Sequence, residues 1–158
     1  MDTNSVYLLL VEDDSETTEL TIRELKRYHL ANGLVHVKDG RQALDFLFSK
    51  GKFAGSEENR NLPMIILLDI QTPGVGCQEV LREIKEDQRT SGTPVILLTP
   101  SALHPDIHKC YKLGAAGYIV TPLNFERFSQ AILSLGFFWL LLNQAPQPIP
   151  TLNRNNGL

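Results

Sequence analysis

The sequence predicts an α/β protein: a five-stranded, all-parallel, doubly wound sheet with helices on both faces. Two observations carry this expectation. Five short apolar runs alternate with five segments of helical period, the pattern of successive βαβ units. The longer runs, "VYLLLV", "MIILL" and "PVILL", are apolar throughout rather than alternating, as strands buried on both faces require. Right-handed crossovers are the expected connections, and the βα alternation motivates a strand order of 2-1-3-4-5.

The elements follow in order. Residues 6–11 form an apolar run ended by acids, the first strand. Residues 15–28 place Thr18, Ile22 and Leu25 near a helical period. Residues 34–37 make a short second strand. Gly40 precedes "RQALDFLFSK", in which Ala43, Leu44, Leu47 and Phe48 form one apolar helix face. Residues 50–63, "KGKFAGSEENRNLP", are polar and Gly-containing and read as a loop. The third strand is 64–69. A helix over 77–86 gathers Val80, Leu81 and Ile84 on one face, and the fourth strand is 94–98. A helix over 106–113 stops at Gly114, and "GYIV" at 117–120 is the fifth strand. Asn124 is the expected N-cap of a last helix through Leu135. The run "GFFWLLLNQ" prolongs that helix or packs beside it. One domain over 1–143, with a C-terminal apolar extension, and a mobile tail over 144–158 are expected; the tail segment "APQPIPTLNRNNGL" holds three prolines and a single charge, Arg154.

Composition narrows the function. The chain has 158 residues, enough for one domain with a real core. It is 42% hydrophobic and 21% charged, with a net charge of −3 and no basic run, so nothing favours nucleic acid as a partner. The N-terminus lacks a basic stretch before its apolar run, unlike a signal peptide. "FFWLLL" is far shorter than the roughly 20 residues of a membrane span. Cys77 and Cys110 have neither disulfide-type nor metal-type spacing, so free thiols in a reducing cytoplasm are expected.

The informative residues are acids. Asp69 ends a strand otherwise built for burial, and a buried carboxylate is costly without a partner. In doubly wound sheets, ligands bind beyond the carboxyl ends of the strands, where the strand order reverses. Glu12 and Asp13 end the first strand as Asp69 ends the third, so the three converge if these strands are neighbours. Carboxylates a few Å apart repel one another, and a divalent cation relieves the repulsion. Mg²⁺ takes oxygen ligands, keeps several waters and commonly uses one or two carboxylates. The bland alternative, that Glu12, Asp13 and Asp14 cap the first helix, leaves Asp69 unexplained.

Together these stretches resemble the receiver domains of two-component response regulators. "LLLVEDD" matches the family's first-strand acids, and "ILLDIQTPG" its phospho-acceptor strand. "PVILLTPS" matches the fourth strand with its switch hydroxyl, and "GAAGYIVTPL" the fifth strand with its aromatic switch. The resemblance spans residues 6–135. It implies a flavodoxin-like sheet and a phosphorelay role, with Asp69 accepting a phosphoryl group from a histidine kinase. It further implies Mg²⁺ held by Asp13, Asp69 and the backbone carbonyl of Gln71, with Glu12 acting through water. Thr99 would donate to the phosphoryl group, and Tyr118 would turn inward in response. The long loop before the third strand and the "FFWLLL" run are similar to the stand-alone regulators that partner cyanobacterial-type phytochromes. No output domain is expected, so the signal should pass through protein contacts in the cytoplasm, by a regulator that is not itself an enzyme.

Three positions depart from the family pattern. Thr121 stands where the family carries a lysine. Pro100 follows the switch hydroxyl and has no N–H to offer. Gly76-Cys77 replaces an Asp-Gly pair. These favour a rival reading, a phosphorylation-impaired receiver acting as an interaction module. A haloacid-dehalogenase-type phosphatase fits less well, because Gln71 lies where its second acid belongs. His104 and His108 have metal-ligand spacing without a third ligand and read as a solvated helix start. Phe138 and Trp139 are candidate anchors of a homodimer, because six consecutive apolar residues cannot all face inward on one helix.

Overall fold

Four-residue and five-residue strands form the centre of the molecule: β1 (Leu8–Val11), β2 (Leu34–Val37), β3 (Ile65–Asp69), β4 (Val95–Thr99) and β5 (Gly117–Val120). The helices between them are α1 (Ser15–Arg27), α2 (Gly40–Leu47), α3 (Cys77–Glu86), α4 (Asp106–Lys112) and α5 (Phe125–Ser134). This computed structural model describes residues 7–55 and 62–136. The strands are parallel throughout, as the alternation implies, and ordered 2-1-3-4-5, as expected of a flavodoxin-like sheet.

The unbroken apolar runs find their explanation in two cores. Alternate residues of each strand point to opposite faces. Leu9, Val11, Ile66, Leu68, Val95 and Leu97 pack under α2, α3 and α4 with Phe46, Val80, Leu81 and Ile84. Leu8, Leu10, Ile65, Leu67, Ile96 and Leu98 pack under α1 and α5 with Leu25, Phe128 and Ile132. Each such side chain contributes about 1.5–3 kcal/mol when fully buried.

Local chemistry fixes the helix starts. Asp14 caps α1 by accepting from the Thr17 N–H at 2.7 Å, and the Thr17 side chain together with that N–H holds its carboxyl below the ordinary range. The bland reading of the first-strand acids therefore applies to Asp14. Asp39 caps α2 through the Gln42 N–H at 2.8 Å, and the Gln42 side chain accepts from the Lys38 N–H at 2.9 Å. Asn124 caps α5 as expected, accepting from the Arg127 N–H at 2.8 Å. A second acceptor reaches α5 from α1: Glu24 takes the Phe125 N–H at 3.0 Å, beside the stacked Tyr28 and Phe125 rings.

Some details differ from the sequence expectation. The polar stretch after α2 contains a short 3₁₀ turn, Gly51–Phe53, because Phe53 folds back edge-on to the Phe46 ring. β4 runs one residue further than the apolar pattern and ends on Thr99. His104 is not merely solvated: its Nδ1 accepts the Asp106 N–H at 3.1 Å at the start of α4. Cys77 and Cys110 are free and buried, with Sγ atoms 3.7 Å apart, and burial pushes both thiols up. No described helix is long and apolar enough to cross a membrane. The apolar extension, with Phe138 and Trp139, and the tail over 144–158 lie outside the described residues.

Candidate functional site

Strand register assembles the site. Val11 pairs with Leu68 across the β1–β3 boundary, so the next residues, Glu12 and Asp69, leave the sheet side by side. Leu98 lies opposite Asp69 on the far side, and Thr99 follows it. The carboxyl ends of the three central strands thus carry an acid, an acid and a hydroxyl.

Glu12 is only 4% exposed, and its carboxyl hydrogen-bonds to that of Asp69. Burial, followed by the Asp69 charge, pushes Glu12 up to about 8, toward its protonated form. Its other oxygen, Oε2, accepts the Asp14 N–H at 3.2 Å. Asp69 is half-buried, and its Oδ1 accepts the Gln71 N–H at 3.0 Å. Behind it, the Asp69 carbonyl receives both the Thr72 N–H, at 3.1 Å, and the Thr72 hydroxyl. The β3–α3 turn therefore presents the Asp69 carboxyl with the Gln71 backbone beside it.

Asp13 is exposed at the rim. Among the described residues no three acid, imidazole or thiol side chains stand close enough to cage a metal ion. What the structure brings together is a pair, Glu12 and Asp69. That pair fits a hard cation in one definite sense: two carboxyl groups in contact repel one another when both are charged, and a cation relieves the repulsion. A Mg²⁺ ion that keeps its waters needs only one or two carboxylates, which Asp13 and Asp69 can supply with the Gln71 carbonyl.

Thr99 is fully buried, and its hydroxyl closes a small ring with Ser101. It donates to the Ser101 carbonyl at 2.8 Å and accepts the Ser101 N–H at 3.3 Å. Pro100 between them is exposed. Thr121 is joined to the same strand end, its N–H donating to the Thr99 carbonyl at 2.9 Å. Tyr118 points outward, 38% exposed, and meets Tyr111 of α4 edge-on at 6.4 Å.

Sequence reasoning missed three contributors. Thr72 holds the Asp69 carbonyl, and the spacing "DIQT" was the available signal. Ser101 engages the Thr99 hydroxyl. His36, the one polar residue of β2, reaches the Glu12 carbonyl at 2.8 Å.

Comparison with known proteins agrees with this geometry. A family model described as "Response regulator receiver domain" matches residues 8–133. The probable methanogenesis regulatory protein FilR2 of Methanothrix harundinacea is 32% identical over 142 residues, covering 89% of this chain and 88% of its own. Response regulator Rcp1 of Synechocystis is 32% identical over 133 residues, covering 84% and 88%. Among solved structures, the bacteriophytochrome response regulator RtBRR has a TM-score of 0.78 at 41% identity, covering 90% of this chain and 85% of that one. The phosphorylated cyanobacterial phytochrome response regulator RcpA gives 0.69 at 30%, covering 90% and 99%. The Mn²⁺-bound form of Rcp1 gives 0.67 at 30%, covering 89% and 99%. On the strength of its strand order, its acid pair and these matches, the chain belongs to the response regulator receiver domain family.

Proposed function

We propose that this protein is a single-domain response regulator of a two-component phosphorelay, accepting a phosphoryl group on Asp69. The observation that carries this is the Glu12–Asp69 contact. An aspartate placed at the strand switch point, half-exposed and backed by a second acid, is a nucleophile with an approach path. An Asp69 oxygen attacks the phosphorus of a phosphohistidine. The P–N bond breaks, its electron pair returns to the imidazole, and a mixed anhydride forms on Asp69. Mg²⁺, when bound, supplies positive charge to the transferring group. Asp13, Asp69 and the Gln71 carbonyl would hold it, with Glu12 acting through water. The Gln71 N–H orients the Asp69 carboxyl, and the Thr99 hydroxyl is the donor that can turn toward the new phosphoryl oxygens. Release of the Thr99–Ser101 ring then frees space into which Tyr118 can turn, shifting the surface of α4, β5 and α5.

The kinase partner is proposed to be of the phytochrome type, because RtBRR and RcpA are described as phytochrome regulators and both match most of this chain. Output is proposed to run through protein contacts in the cytoplasm, with neither nucleic acid nor membrane, and with no enzymatic activity of its own. Self-association through α5 and the chain beyond it is part of this reading, with Phe138 and Trp139 as anchors; Leu133 of α5 is 46% exposed. Sedimentation of wild type beside Trp139→Asp decides that point, and two monomers at tens of micromolar would end it.

A second reading, an interaction module that has lost efficient phosphotransfer, draws on Thr121 and Pro100. Neither supplies the ammonium or N–H that would neutralise a phosphoryl group. Partner binding measured with Asp69→Ala separates the two. A phosphorelay regulator loses phosphorylation-dependent binding in that variant; an interaction module binds unchanged.

A further inference from the structure

We propose that His36 is a positioning residue for the acid pair, holding the peptide group from which Glu12 and Asp13 project. This rests on the reading of those acids as the cation and phosphoryl site. The residue is the one polar side chain of β2, half-buried at the sheet edge and paired in register with Leu10. Its Nε2 lies 2.8 Å from the Glu12 carbonyl oxygen. A carbonyl only accepts, so Nε2 carries the hydrogen and the tautomer is fixed at that nitrogen.

Two consecutive β2 residues thus grip one residue of the neighbouring loop. The Glu12 N–H donates to the Val37 carbonyl at 3.1 Å, while the Glu12 carbonyl accepts from His36. Thr18 of α1, itself buried, sits 3.5 Å from both the Glu12 carbonyl and His36 Nε2 and closes the clip from the other side. The consequence is directional. With its carbonyl turned toward β2, Glu12 sends its carboxyl inward to Asp69 and the Asp14 N–H, and Asp13 is left at the exposed rim. An apolar side chain at 36 would leave that carbonyl without its best donor, and the peptide plane would be free to rotate.

The test compares wild type, His36→Phe and His36→Gln. Phenylalanine keeps the ring and removes both nitrogens; glutamine keeps a donor near the Nε2 position. Two readouts are used: Mg²⁺ affinity by titration calorimetry, and amide hydrogen exchange at Glu12 and Asp14 without metal. In His36→Phe, Mg²⁺ binding is expected to weaken about fivefold, the factor one net hydrogen bond is worth. The Glu12 and Asp14 amides should exchange faster by a similar factor, with Leu97 in the central strand unchanged. His36→Gln should recover most of both. Unchanged exchange and affinity in His36→Phe overturns the inference, as does a glutamine variant as impaired as phenylalanine. Where phenylalanine does not fold, His36→Leu takes its place with the same expectations. If wild type binds no Mg²⁺, the site reading fails by itself, and the exchange data still decide the role of His36.

Discussion

The Thr99 hydroxyl is committed to Ser101, donating to its carbonyl at 2.8 Å, rather than to Asp69. An aspartyl phosphate offers that hydroxyl a charged acceptor, and charge-assisted hydrogen bonds are about twice as strong as neutral ones. Phosphorylation should therefore break the ring with Ser101. Thr99→Ala removes the donor, and the phosphorylated fraction under limiting phosphodonor should fall about tenfold, since such a bond is worth roughly 1.5–3 kcal/mol. Mg²⁺ affinity should not change, because Thr99 holds no cation. Intact mass and calorimetry measure the two.

Thr121 sits against the Thr99 carbonyl, at the strand end where a cation could approach the phosphoryl group. Thr121→Lys should raise the phosphorylation rate by about tenfold if one charge-assisted contact is gained. Pro100→Ala restores an N–H and should add to it, though two donors to one group need not be additive. An unchanged rate in Thr121→Lys would mean that another group already supplies the charge.

The Glu12 carboxyl gives the metal-free protein a pH dependence with a definite sign. Its folded value of about 8 lies above its ordinary 4.5. Between these values the folded state binds a proton that the unfolded chain has released, so stability falls as pH rises. The contribution is fully present below about pH 4.5 and gone above about 8. Asp14, held low by Thr17, acts in the opposite direction but at more acid pH. Urea midpoints should decline from about pH 5 toward 8 without metal. Glu12→Gln should flatten that decline, and saturating Mg²⁺ should reverse part of it.

Gly40 opens α2 against the loop that follows Asp69. A Cβ there would lie 1.8 Å from the Val75 carbonyl oxygen and 2.9 Å from Val80. Backbone cannot yield as a side-chain tip does, so Gly40→Ala should cost about 1–3 kcal/mol in unfolding free energy. It should also slow phosphorylation, since the displaced segment carries the Gln71 N–H. A variant of wild-type stability and rate would show that the loop moves freely.

Much of this was legible because it rests on unbroken apolar runs, helical periods and strand ends. Unbroken apolar runs implied a sheet buried on both faces, and the two cores divide the strands residue by residue. Register did the rest: with Val11 opposite Leu68, Glu12 and Asp69 had to meet. Contacts set by loop conformation were not legible. Nothing in "TPS" announces the Thr99–Ser101 ring, and nothing in "VKDGRQ" places Gly40 against Val75. His36 gave a faint signal as a polar residue in an apolar strand, but its partner is a backbone carbonyl, which every residue has. Phe53 lay in a polar stretch whose one aromatic ring proved to be anchored on Phe46.

The central claim is that Asp69 is a working phosphoryl acceptor. Intact-mass spectrometry after incubation with acetyl phosphate and Mg²⁺ tests it most directly, with wild type beside Asp69→Ala. The wild type should gain the mass of one phosphoryl group, slowly, and Asp69→Ala should gain none. Equal modification of wild type and Asp69→Ala, or no modification of either wild type or Thr121→Lys, would contradict it.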